Sequence, residues 1–176
     1  MTLRKAPALA LLLGLGMVSQ AQAGLTGDFV SGGENYPTLG NVALDFGFAA
    51  VDDTVEFPLS SFPEFFQFFT VDFSDTTMTM TFVQTGGFAV SDFSGPVFFD
   101  DTNPFNSASI DPSTTATWFD DSMFGVGLDG GLALNLTGQS FNEGETIVLS
   151  LVPEPMSMML LGVGLAGLGM ARRRIA

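Results

Sequence analysis

Between Gly24 and Leu151 the chain has no Lys, Arg, His or Cys. That gap limits what can hold a fold together. No ion pair, disulfide or thiolate–imidazole metal centre can form within these 128 residues. The segment carries 18 acidic side chains, which repel one another at neutral pH. Folding must therefore rest on apolar burial and backbone hydrogen bonds, and all 19 Phe residues lie here. The length is enough to close one core. The same gap excludes functions. Nucleic-acid binding needs Lys or Arg to displace counterions. Phosphate chemistry lacks its cationic clamp, and a His-based triad is impossible. The composition predicts a protein that is not an enzyme.

The segment is rich in Phe, Thr, Val and Gly and poor in long straight side chains, which favours strands over helices. Alternation with a period of two recurs. Val42, Leu44, Phe46 and Phe48 share one face, and Met78, Met80 and Phe82 alternate with Thr77, Thr79 and Thr81. Leu132, Leu134 and Leu136 form a third row, and Ile147, Leu149 and Leu151 a fourth. Gly86-Gly87 predicts a hairpin joining 76–84 to 88–93, and Asp129-Gly130-Gly131 one joining 123–128 to 132–137. Residues 102–113 read as a loop. Phe62 to Phe69 carries Phe on both faces, which predicts a central strand covered on both sides; a self-association patch is the alternative. Seven to nine short strands point to an all-β fold, an antiparallel β-sandwich of jelly-roll or immunoglobulin-like outline.

Three acidic pairs are candidate ligands for a hard cation: Asp52-Asp53, Asp100-Asp101 with Asn103, and Asp120-Asp121. Calcium takes six to eight oxygens from carboxylates and carbonyls in loops. No EF-hand pattern is present, and solvated turns explain the same pairs. Two carboxylates could also serve glycoside hydrolysis, but among 18 some pair always has a suitable separation. Trp118 beside Phe119 reads as core rather than a sugar platform, and the Thr77-x-Thr79-x-Thr81 row as the outer face of a strand.

The two ends differ from this body, and they hold all five basic residues. Arg4 and Lys5 precede an apolar stretch from Ala6 to Val18, and Ala21-Gln22-Ala23 before Gly24 is an A-x-A cleavage site. This is the pattern of a secretory signal peptide over 1–23, which the Sec translocon would export and signal peptidase would remove. At the other end, Val152-Pro153-Glu154-Pro155 is followed by sixteen uncharged residues, Met156 to Ala171, and then Arg172-Arg173-Arg174. As a helix the apolar run spans roughly 24 Å, short of the hydrocarbon core of about 30 Å. The arginines can snorkel, and the positive-inside rule puts them in the cytoplasm. Gly162-Val163-Gly164-Leu165-Ala166-Gly167 fits G-x-G-x-x-G, but no acidic residue follows it. Close helix packing in a membrane explains those glycines better than a dinucleotide does.

Motif, apolar span and basic cluster together resemble the PEP-CTERM sorting signal of Gram-negative bacteria, over 152–176. Met156 stands where that family more often has a small polar residue. The resemblance implies recognition by exosortase, a cut near Pro-Glu-Pro, and a transient inner-membrane intermediate. The expected product is a secreted or cell-surface protein with a body over 24–151, structural or adhesive in exopolysaccharide. A calcium-dependent carbohydrate-binding module is the alternative, and a carboxylate-based glycoside hydrolase a distant third.

Overall fold

The computed structural model describes residues 24–127 and 129–153. The expected signal peptide, with Ala21 and Ala23, lies outside the described residues. So do Glu154, Pro155, the expected C-terminal transmembrane helix and Arg172 to Arg174. Among the described residues no helix is long and apolar enough to cross a membrane.

The body is all-β. Its strands are β1 (Phe29–Asn35), β2 (Val42–Ala50), β3 (Phe69–Phe73), β4 (Thr77–Phe82), β5 (Gly86–Gly87) and β6 (Gly95–Asp100), then β7 (Phe105–Ile110), β8 (Phe124–Val126), β9 (Leu132–Leu134), β10 (Ser140–Phe141) and β11 (Thr146–Pro153). They form a five-stranded sheet in the order β2-β1-β6-β9-β8, a four-stranded sheet β3-β4-β11-β7, and a short β10-β5 pair. All the pairings are antiparallel. The two larger sheets share one core. Phe98 of β6 meets Phe73 of β3 edge-on at 5.5 Å between ring centroids, and Phe46 of β2 meets Phe69 of β3 at 6.2 Å. Such tilted and edge-on pairs are favoured by the ring quadrupole. Gly32 in β1 has the Phe98 ring where its side chain would be, since a Cβ there would sit 2.7 Å from the ring.

The alternating rows explain much of this. Met78, Met80 and Phe82 are fully buried, as are Ile147, Leu149, Leu132 and Leu134. β8 and β9 form the hairpin that Asp129-Gly130-Gly131 predicts.

Four local expectations are corrected. Gly86-Gly87 does not close a hairpin back onto β4; it is itself a strand, paired with Ser140-Phe141. The absent side chain explains the choice, because a Cβ on Gly86 would lie 2.8 Å from the Phe141 ring. The predicted loop 102–113 contains β7, an edge strand paired with β11. Phe105 anchors it, but Asn106, Ser107 and Ser109 give it little apolar pattern to read. Phe62 to Phe69 is not a strand up to its last residue. Pro58 and Pro63 start two 3-10 turns, Leu59–Ser61 and Glu64–Phe66, because proline fits a turn start but cannot donate to a sheet ladder. Phe62, Phe66 and Phe69 still turn inward around Phe46, while Phe65 stays exposed. Finally, the row 42–48 buries only Phe46 fully. The register slips between Gly32↔Gly47 and Gly33↔Asp45, leaving Phe46 as the extra residue of a bulge. Beyond it Phe48 points to solvent, 76% exposed.

Candidate functional site

The acidic pairs do not form one site. Asp52 ends its strand region in a tight turn, where its Oδ1 accepts from the Thr54 amide at 2.7 Å and the Thr54 hydroxyl at 2.6 Å. Asp120 does the same with Ser122, at 2.8 and 2.6 Å. These bonds, side chain first, hold both carboxyls below their usual pKa. Asp53 and Asp121 are exposed beside them. Trp118 donates its indole N–H to Glu145 at 3.0 Å and tilts onto Phe82, so it belongs to the core edge.

Asp100 and Asn103 do come together, with a third residue the sequence did not mark. β6 ends at Asp100, whose Oδ1 accepts from the amides of Thr102 and Asn103, both at 2.8 Å. Asn103 in turn donates to Asp28 Oδ2 at 2.8 Å, across 75 positions of chain. Asp28, Asp100 and Asn103 are all buried, and Asp101 is exposed. Burial raises the pKa of Asp100, the two amide bonds lower it, and the neighbouring Asp28 carboxyl raises it again. Asp100 Oδ2 is buried with no hydrogen-bond partner. Two neighbouring carboxylates repel each other unless a counter-charge lies near them. Among the described residues no group of three acidic side chains is placed to hold a metal ion together.

The second cluster was not legible as a motif. In β1 the period of two turns Val30, Gly32 and Glu34 to the inner face, so a carboxyl stands where the pattern expects an apolar group. Glu34 is 4% exposed, and its Oε2 is buried without a partner. It lines a cavity of about 240 Å³ walled by Phe66, Phe68, Phe88 and Phe141, with Tyr36 and Ser94 at its sides. Burial pushes the Glu34 pKa up to about 8. No side chain between Gly24 and Leu151 can neutralise it as an ion pair. A fourth buried acid, Glu56, is fully engaged: it accepts from the Phe73 amide at 2.6 Å and the Asp52 amide at 3.1 Å, pinning the 52–56 turn to β3.

The two sorting ends meet the fold directly. Leu25 is fully buried and its amide donates to the Asp75 backbone carbonyl at 3.0 Å, so the candidate cleavage point before Gly24 abuts the core. At the other end β11 runs through Val152 and Pro153, which pair with Ser107 and Phe105 of β7. The strand thus includes the first two residues of the Val152-Pro153-Glu154-Pro155 motif, with no spacer between body and motif.

Residues 151–174 match the PEP-CTERM protein-sorting motif. No curated protein and no solved structure matches the chain.

Proposed function

We propose, for a chain whose PEP-CTERM tail marks it as an exosortase-processed, exported cell-surface protein of a Gram-negative bacterium, a non-catalytic structural or adhesive role in exopolysaccharide. The observation that supports this most is the junction at β11. A folded β body without basic side chains leads with no linker into the sorting motif, so a cut in that motif falls directly at the edge of the domain. Such a body stays soluble by self-repulsion and lacks the cationic groups that most transfer chemistry uses. Deleting exosortase in the host tests the route: the chain should stay in the inner-membrane fraction with its tail uncut. Unchanged location and mass would end the reading. The matrix role predicts that the processed protein co-purifies with exopolysaccharide and that its deletion weakens cell aggregates.

A second reading, calcium-dependent carbohydrate binding, is favoured by the unsatisfied Asp100 Oδ2 facing Asp28. If a cation bridges that pair, millimolar calcium should raise the melting temperature by several degrees, as binding to the native state alone requires. Asp100→Asn should remove the shift. No chelator-sensitive shift would end this second reading.

A further inference from the structure

We propose that the cavity at Glu34 is a binding site for a small organic amine, its ammonium group paired with the Glu34 carboxylate and its apolar part held among the Phe rings. Three observations point there. Glu34 Oε2 is buried, unpartnered, and belongs to a side chain lining the cavity. The wall is aromatic, and ring faces attract cations. The body has 18 acidic side chains and no basic one, so its field gathers cations and repels anions. A buried carboxylate is stable only when paired, and the segment from Gly24 to Leu151 holds no cationic side chain to pair with Glu34. At about 240 Å³ the cavity is smaller than the usual drug-sized pocket, which limits the ligand to a small molecule.

A neutral ligand offering a carbonyl or ether oxygen to a protonated Glu34 is the competing chemistry, and it has the opposite pH dependence. An amine competes with the proton, so it binds more tightly as pH rises. A hydrogen-bond acceptor needs the proton and binds less tightly. Tyr36 is the other titratable group on the cavity wall.

The test uses the processed protein purified from its host and titration calorimetry with benzylamine, benzyl alcohol and benzoate. Benzylamine should bind at least about tenfold more tightly than benzyl alcohol at pH 8.5, benzoate should not bind, and benzylamine affinity should rise about tenfold or more from pH 6 to 8.5. Glu34→Gln should remove both the preference and the pH dependence. Ala89→Leu, at the exposed rim of the cavity, should weaken benzylamine binding while leaving the melting temperature unchanged, and it decides the question should Glu34→Gln not fold. Equal or tighter binding of benzyl alcohol, affinity that falls with pH, or benzylamine binding indifferent to Ala89→Leu would each overturn the proposal.

Discussion

Raising the pH from 4.5 to 8 should destabilise this protein, by an amount set chiefly by Glu34. In the unfolded chain its carboxyl ionises near the ordinary value of 4.5; in the fold, burial holds the proton until about pH 8. The folded state therefore binds the extra proton throughout that window, and stability falls as pH rises. The contribution is fully present below pH 4.5 and lost as pH passes through about 8. A displacement of this size corresponds to roughly 4–5 kcal/mol at the upper limit. For a domain of this length that is roughly 10–20 °C in melting temperature. Asp100, Glu56 and Asp72, each raised first by burial, act with the same sign. So does repulsion among the ionising carboxylates. Asp52, Asp111, Asp120 and Glu145 are held low by hydrogen bonds and act in the opposite sense, but only at more acid pH, where they regain their protons. Thermal melts of Glu34→Gln should show most of the slope gone, with the variant more stable than the parent at pH 8 and nearly equal at pH 4.5. Asp53→Asn, on an exposed turn, should leave the slope as it was. A Glu34→Gln melt that tracks the parent across the window would remove Glu34 as the cause.

Why Glu34 was not legible in the sequence is instructive. In Ser31-Gly32-Gly33-Glu34-Asn35 the inner face is built from a glycine and an acid, so the stretch has no apolar row to mark it as a strand. Its inward side becomes visible only when Phe98, from β6, lies over Gly32. The rows of 78–82, 132–136 and 147–151 were legible because each strand writes its own buried face. Edge strands do not: β7 needs only Phe105 and partial burial elsewhere, and β2 changes face at a bulge set by its pairing with β1. The acidic pairs at Asp52 and Asp120 stand in the solvated turns that the sequence also allowed for them. Adjacent carboxylates in sequence mark turns, whereas the two buried acids that do meet, Asp28 and Asp100, come from the starts and ends of different strands. The sorting tail was the opposite case, since its order along the chain is the signal and no packing is needed to read it.

A chain stopped after Glu145 should not fold, whereas one stopped after Pro153 should keep the melting temperature of the whole body. β11 lies inside its sheet, hydrogen-bonded to β4 through 146–150 and to β7 through 149–153. Ile147, Leu149 and Leu151 are 0–1% exposed. Burying each is worth about 1.5–3 kcal/mol, so together they contribute about 5–9 kcal/mol, comparable with the net stability of an ordinary domain. Removing the strand also strips β4 and β7 of a shared partner and bares two sheet edges. Circular dichroism of the shorter chain should show no cooperative melt; a cooperative melt near the parent's would refute the central place given to β11. The same geometry limits where processing can cut. A cut before Val152 would break the pairing with Ser107 and Phe105 and pull the end of a folded strand into a protease. A cut after Pro153 leaves every described strand whole. Mass analysis of the mature C terminus should therefore find it at Pro153 or beyond, and a terminus inside 146–152 would show that the strand opens before exosortase acts.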